Sequence, residues 1–286
     1  MTEESPVLYV VPTPIGNLDD ITHRAVETLR GVKWIAAEDT RHSAPLLKRI
    51  GTAAHIFALH AHNEESAASR VLGCLEKGES VALVSDAGTP AVSDPGSRLV
   101  ARARDAGFRI VPLPGPCAAV TAFSGAGFPD PRFLFYGFLP PKTKARGDAL
   151  RNLLKIPYTI VFYEAPHRIL ETLDEMAAIF EKDRVLVLAR ELTKLFETIY
   201  TCPLCEAPAW LRADENRRRG EFVLLLGASK ASVDSDESER VLRILLDDGL
   251  SVSQAARLTH AMTGAGKKLL YEHALAYRDT DDGNSA

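Results

Sequence analysis

Cysteine is scarce here, with four residues in a chain of 286. That is too few to staple a disulfide scaffold. Cys202 and Cys205 have C-x-x-C spacing, but zinc needs two more ligands, and Cys74 and Cys117 stand alone. His60 and His62 form a pair with no third ligand beside them. The sequence therefore predicts no metal. Long apolar runs are missing too: none approaches the ~20 residues of a membrane helix. The start, Met1-Thr2-Glu3-Glu4-Ser5-Pro6, is acidic where a secretion signal would be basic and then apolar. The expectation is a soluble, cytoplasmic protein with no membrane partner.

An excess of positive charge is also lacking, since the formal net charge is −4. This excludes a nucleic-acid binder that works by overall basicity, but it leaves room for local basic stripes. Several nucleotide and hydrolase signatures are absent. Gly125-Ala126-Gly127 and Gly264-Ala265-Gly266 lack the third glycine and preceding strand of a dinucleotide loop. Gly266-Lys267 lacks the rest of a phosphate-binding P-loop, and neither G-x-S-x-G nor H-E-x-x-H occurs. Dehydrogenase, kinase, hydrolase and protease readings lose most of their support.

What is present is a globular composition, 46% hydrophobic and 25% charged, in a length that suits two domains and a tail. Short apolar runs at residues 7–11, 33–37, 56–59, 81–85 and 110–113 alternate with helix-like stretches such as 21–29 and 64–76. That alternation predicts a mainly parallel sheet covered by helices. After Pro112-Leu113-Pro114-Gly115-Pro116, strand patterns resume at 133–136, 159–163, 184–189, 197–201 and 222–226. The expected division is an N-terminal α/β domain over residues 1–115 and a second α/β domain over 116–229. Residues 230–286 then form an acidic linker, 232–239, and a helical tail with helices at 240–246, 252–262 and 267–276. Residues 279–286 are expected to be disordered.

The chemistry-bearing segments lie at strand ends, where open α/β sheets bind ligands. The first is Pro12-Thr13-Pro14-Ile15-Gly16-Asn17-Leu18, a rigid loop whose plain alternative is an ordinary strand-to-helix connection. Ser85-Asp86-Ala87-Gly88-Thr89-Pro90, echoed by Ser93-Asp94-Pro95-Gly96, sets carboxylates among small residues that let a ligand approach the backbone. Ala36-Ala37-Glu38-Asp39-Thr40-Arg41-His42 suits proton transfer or substrate orientation, or else a helix start capped by Asp39 or Thr40. Residues 162–168 and 189–194 place charged groups where a strand opens, a position that structural ion pairs also favour. Lys142, Lys144, Arg146, Arg151 and Lys155 crowd one stretch, and Arg217-Arg218-Arg219 and Lys267-Lys268 form others. Such runs are commonly solvated faces, and as a set they permit phosphate binding.

Taken in order, these segments resemble the tetrapyrrole methylase superfamily of S-adenosylmethionine-dependent enzymes, and within it the branch that methylates ribosomal RNA of the small subunit. The likeness runs from about residue 8 to 226, and Lys267-Lys268-Leu269-Leu270-Tyr271 is similar to that branch's C-terminal element. The resemblance implies a two-domain α/β fold of tetrapyrrole-methylase type with a small helical extension, a homodimer, and S-adenosylmethionine held between the domains. It also implies 2′-O-methylation of a decoding-centre cytidine in 16S ribosomal RNA, with the 30S subunit as the expected partner. By position, Pro14, Ile15, Gly16, Asp86, Ala87, Gly88, Thr89, Cys117, Ala118, Tyr163 and Ala189 would contact the cofactor.

A ribose hydroxyl must lose its proton during such a transfer. Asp39, Glu191 or Lys194 could assist, the lysine only if neutral; Asp39 and Glu191 are the chosen catalytic candidates. Arg41, Arg190, Lys194, Lys142, Lys144, Arg146, Lys267 and Lys268 are the expected substrate contacts. Two rival readings stand beside this one. The same fold could methylate a precorrin-like macrocycle, which would not need the basic stretches. Alternatively, residues 252–262 and 267–276 read as a helix-turn-helix of a non-enzymatic nucleic-acid-binding protein.

Overall fold

The computed structural model describes residues 5–229 and 233–282. The apolar runs near the N-terminus become β1 (Val7–Val10), β2 (Trp34–Ala37), β3 (His55–Ala58), β4 (Val81–Val84) and β5 (Arg109–Pro112), with α1 (His23–Gly31), α2 (Thr40–Ile50), α3 (Glu64–Glu76) and α4 (Ser97–Asp105) between them. The strands pair in the order β3-β2-β4-β1-β5, all parallel. Side chains alternate across this sheet as the pleat requires. Ile35, Ala37, Ala82 and Val84 meet Leu29, Leu46 and Leu47 of α1 and α2 on one face. Ala36, Val81 and Leu83 meet Ala68, Val71, Leu99 and Ala103 of α3 and α4 on the other. Covered on both sides, β4 is buried at every position, which is why its sequence is an unbroken apolar run.

The second sheet follows α5 (Ala118–Ala126) and contains β6 (Phe133–Phe138), β7 (Thr159–Glu164), β8 (Val185–Arg190), β9 (Thr198–Pro203) and β10 (Phe222–Leu226), interspersed with α6 (Thr143–Asn152), α7 (Ile169–Ile179) and α8 (Ala207–Arg212). Its order is β6-β7-β10-β8-β9. Only β6 and β7 run parallel; the other neighbours are antiparallel. One face carries the larger core, where Ile160, Phe162, Leu188 and Leu224 pack against Leu150, Leu173, Met176 and Leu211. The other face, with Val161, Val187, Ala189, Val223 and Leu225, is covered by Ala119 and Ala122 of α5. Ile15 of the first domain packs onto that face and ties the two sheets together.

The tail forms α9 (Val233–Asp247), α10 (Val252–Thr263) and α11 (Lys267–Asp282). The stretch expected as an acidic linker is helical from Val233 onwards, because Ser238, Leu242 and Leu246 recur at four-residue spacing and are buried. Leu242 and Leu246 share a small core with Ala255, Ala256, Leu270 and Ala274. Ser251 and Gln254 close a capping box on α10, and Gly264 ends that helix at φ +77° before the turn into α11. Of the end expected to be disordered, residues 279–282 belong to α11 and 283–286 lie outside the described residues. No helix among the described residues is long and apolar enough to cross a membrane.

Candidate active site

The carboxyl ends of β1, β2, β4 and β5 lie on one edge of the parallel sheet, and their loops are stitched together. Thr13 and Gly88 exchange backbone hydrogen bonds of 2.9 and 3.0 Å. The Thr13 hydroxyl donates to the Ser85 carbonyl at 3.1 Å, and the Thr89 hydroxyl donates to the Pro116 carbonyl at 3.0 Å. Three loops therefore form one wall. The second sheet supplies the facing wall, with Tyr163 and Glu164 of β7, Ala189 of β8, and Phe222 and Val223 of β10. Phe138 joins them from a bulge: the β6–β7 register shifts between Phe135 and Gly137, and Gly137 takes φ +81°. Phe138 remains 52% exposed on the cleft.

The cleft has a volume of about 370 Å³. A second lobe of about 300 Å³ shares Ile15, Asp86, Ala87 and Glu221 with it. These volumes suit a small organic ligand. Ile15, Asp86, Ala87, Gly88, Thr89, Cys117, Ala118, Tyr163 and Ala189 all line the main cleft, and Pro14 and Gly16 line the second lobe. Residues from both domains, far apart in sequence, thus meet at one place. Gly16 sits so close to the facing loop that a Cβ there would lie 2.5 Å from Lys194 Cγ and 2.8 Å from the Thr193 hydroxyl.

The cleft is acidic on the first-sheet side. Glu38, Asp86 and Asp94 line it, and among the described residues none of them forms an ion pair with a Lys, Arg or His. Burial raises the Glu38 carboxyl above its usual range, with the nearby Asp86 charge adding to this against the opposing Asp86 N–H. Asp94 is pushed up to about 6, first by burial and then by the charge of Glu38. The loop that presents Asp94 contains two non-glycine residues in the left-handed region, Ala91 and Ser93, each at φ +66°. Such strain is held in place here by the Thr13–Gly88 bridge at one end. At the other end Glu64 accepts the Gly96 N–H at 3.1 Å. Tyr163 accepts the Ala119 N–H at 3.1 Å, and burial raises its hydroxyl pKa, so it stays protonated.

The proposed proton acceptors do not share this setting. Asp39 caps α2: its carboxylate accepts the Arg41 N–H at 2.8 Å and pairs with the Arg41 guanidinium at 2.8 Å. These contacts hold the carboxyl far below the usual range, which makes it a poor proton acceptor. Glu191 accepts from the Glu221 N–H and the Lys194 ammonium, both at 2.9 Å. Burial opposes its ionisation, but those donors outweigh burial and lower its pKa. Lys194 lines the second lobe and is itself opposed by burial, yet Glu221 and Glu191 hold it above its ordinary range. It is a cation, and a neutral-lysine role does not fit.

The basic candidates divide. Arg146 does not meet solvent, with a side chain only 1% exposed and paired to Glu171 and Glu175 at 2.6 and 2.5 Å. Its expected contact with substrate is therefore corrected to a structural ion pair. Arg190 donates to the carbonyls of Arg219, Asn216 and Phe196 at 2.6, 2.8 and 3.4 Å, so it ties the end of β8 to two loops. Arg217 lies 4.6 Å over Trp210, which stacks on Tyr200, and so packs more than it projects. Lys142 and Lys144 at the start of α6, Lys267 and Lys268 at the start of α11, and Arg41 are exposed.

Glu38, Asp94 and Leu192 line the cleft from segments marked in the sequence without being named as site residues, whereas Phe138, Glu221 and Val223 line it from outside those segments. Position after a strand is the signal that carries the first two: Glu38 is the first residue beyond β2, and Asp94 is in the second Asp-containing turn after β4. Phe138 depends on a bulge that leaves no local mark.

Comparison with known proteins gives a consistent picture. Residues 7–208 match the family model described as Tetrapyrrole (Corrin/Porphyrin) Methylases, and residues 232–278 match the RsmI C-terminal HTH domain. The chain is 50% identical over 269 residues to a protein of Escherichia coli O157:H7 named Ribosomal RNA small subunit methyltransferase I, covering 94% of each. It is 48% identical to a protein of the same name from Pseudomonas aeruginosa, covering 94% of this chain and 96% of that one. Among solved structures, cobalt precorrin-4 methyltransferase superposes with a TM-score of 0.58 at 19% identity, covering 77% of this chain and 94% of that one. Diphthine synthase gives 0.59 at 17%, covering 78% and 90%. These two show the fold.

Proposed function

The chain belongs to the tetrapyrrole methylase family, in the branch of the ribosomal RNA small subunit methyltransferases I, and from that premise we propose that it methylates the ribose 2′-oxygen of a decoding-centre cytidine in 16S ribosomal RNA. It is a methyltransferase of small-subunit ribosomal RNA whose methyl donor is S-adenosylmethionine. What supports the 2′-oxygen reading is that the likeness to the named relatives takes in both the α/β body and the helical tail. The working division keeps residues 1–115, 116–229 and 230–286 as two α/β domains and a tail, in a homodimer acting in the cytoplasm. The exposed apolar side chains of Leu195 and Phe196 in the β8–β9 turn and of Ile199 on β9 support self-association.

The residues present fit the donor. The carboxylates Glu38 and Asp86, neither of them in an ion pair among the described residues, favour a cationic ligand, while Ile15, Leu192, Ala189 and Val223 give an apolar surface for a flat ring. When bound, S-adenosylmethionine supplies an electrophilic methyl group on a sulfonium. The chain's contribution is alignment. The stitched wall of residues 13–16, 85–89 and 115–118 fixes one ligand surface, and the β7, β8 and β10 side chains fix the other. Such positioning is worth up to roughly 7–11 kcal/mol of a displacement barrier. Lys142, Lys144, Lys267 and Lys268 are exposed and form the proposed phosphate contacts, with the RNA recognised largely by shape and splayed bases.

The test is transfer from labelled S-adenosylmethionine to isolated 30S subunits or naked 16S RNA, followed by nuclease mapping. Label on a cytidine 2′-oxygen is the expected result. Label on a base, or no label on either RNA while S-adenosylmethionine still binds, would overturn the proposal.

A further inference from the structure

Building on that reading, we infer that Asp94 is the proton acceptor for the ribose hydroxyl. Five carboxylates line the main cleft: Glu38, Asp86, Asp94, Glu164 and Glu221. Two of them are held by cations. Glu164 pairs with Arg168 and also accepts from the Thr172 hydroxyl at 2.6 Å and the Ala165 N–H at 2.9 Å. Glu221 pairs with Lys194 at 2.9 Å. Two others are engaged by backbone: Asp86 accepts the Asp39 N–H at 3.0 Å, and Glu38 accepts the Asp86 N–H at 3.4 Å. Asp94 has neither kind of partner among the described residues; its one neighbouring donor is the Ser85 hydroxyl. It is thus the cleft carboxylate held in place by neither a cation nor a backbone N–H.

Its position is also fixed. The pinned loop carrying Asp94 reaches across to the second domain, where Ser93 Oγ lies 2.7 Å from the place a Cβ would occupy on Gly137. Asp94 therefore sits where the two walls meet, beside Phe138 and near Tyr163. Glu38 and Asp86 face it from the ends of β2 and β4, Tyr163 and Glu164 from β7, and Glu221 from the start of β10. Arg168 and Lys194 are paired with Glu164 and Glu221 instead, and among the described residues Asp94 forms no ion pair. An acidic surrounding keeps the proton affinity of Asp94 high enough for the task.

The step balances simply. The 2′-oxygen forms a bond to the methyl carbon, the carbon–sulfur bond breaks with its electron pair remaining on sulfur, and the hydroxyl proton passes to Asp94. Bulk water takes that proton after product leaves.

The experiment compares D94N with wild type as full-length proteins. Donor affinity is measured by calorimetry, 30S affinity by filter binding, and single-turnover methyl transfer across pH 5–9. The expected result is donor and subunit affinities within about threefold of wild type, with transfer slowed by roughly 10²–10⁴-fold. The wild-type rate should rise through an inflection near pH 6, and D94N should lose it. An unchanged rate and pH profile overturns the assignment. So does a donor affinity that falls as much as the rate, which would make Asp94 a donor-binding residue. If wild type puts no methyl on any ribose 2′-oxygen, the functional reading itself fails; if it does and D94N does so equally, only the Asp94 assignment fails.

Discussion

The Thr193 hydroxyl accepts a hydrogen bond from the Asn17 backbone N–H at 3.1 Å, joining residues 176 positions apart. This contact lies beside Gly16, where the first-domain loop meets the 191–194 loop of the second. Gly16 and Lys194, the neighbours of these two residues, line the second lobe of the cleft. Gly16→Ala should force the two loops apart, since overpacking of this kind costs about 1–3 kcal/mol. The expected outcome is donor affinity lowered roughly tenfold or more, with circular dichroism unchanged. Unaltered affinity by calorimetry would mean the loops part without consequence for the ligand.

Three neighbouring basic residues, Arg146 against Lys142 and Lys144, should behave in opposite ways. Arg146→Gln removes a buried guanidinium from both its carboxylate partners and leaves Glu175, the less exposed of the two, without its cation, so it should cost about 1–3 kcal/mol of stability by chemical denaturation. Lys142→Gln with Lys144→Gln should leave the melting temperature within a degree or two. The double change should instead reduce the slope of log affinity against log salt by roughly 0.7 for each phosphate that is no longer neutralised. An unchanged slope removes these lysines from the RNA interface.

Asp39→Asn offers a check on its corrected role. Asparagine is as good an N-cap as aspartate, so α2 should persist. Methyl transfer should stay within about threefold of wild type. A drop exceeding a hundredfold, with folding intact, would restore Asp39 as a participant in the chemistry.

How far these residues could be read from sequence varies in an instructive way. The strands of the first sheet were visible because a parallel sheet covered on both faces leaves continuous apolar runs, as in Val81–Val84. The cofactor candidates were visible because rigid, small-residue turns stand at the ends of those strands. Pairing was not visible. Arg146 looked like part of a basic stripe, since its partners Glu171 and Glu175 arrive on α7, 25 and 29 residues later. Between the adjacent carboxylates Glu38 and Asp39, spacing could not tell which enters the cleft; the helix start takes Asp39 as its cap and leaves Glu38 to the ligand side. The mixed order of the second sheet was equally hidden, because strand pairing is decided by tertiary packing.

A stability measurement tests the environment of Asp94 apart from activity. Its carboxyl titrates at about 6 in the folded protein, against ~3.9 for an unperturbed aspartate. The folded state holds this proton more tightly than the unfolded chain. The group therefore stabilises the fold below pH ~4, and that contribution is lost as pH rises towards 6. D94N removes the titration, so its melting temperature relative to wild type should climb between pH 4 and pH 7 and level off above. Partial exposure of the side chain keeps the gap to a few degrees. A gap that does not vary with pH would contradict the acidic surroundings described for it.

The last strand of the second sheet, β10, lies at its centre, between β7 and β8. While the chain is being synthesised, β7 and β8 emerge with a vacant lane between them that only Phe222–Leu226 can fill. The first domain can fold as soon as β5 is made, but the second waits for nearly the whole body of the protein. A nascent chain halted before Phe222 would thus hold one finished wall of the cleft and two unpaired strand edges. Such a fragment should adhere to chaperones rather than to the methyl donor.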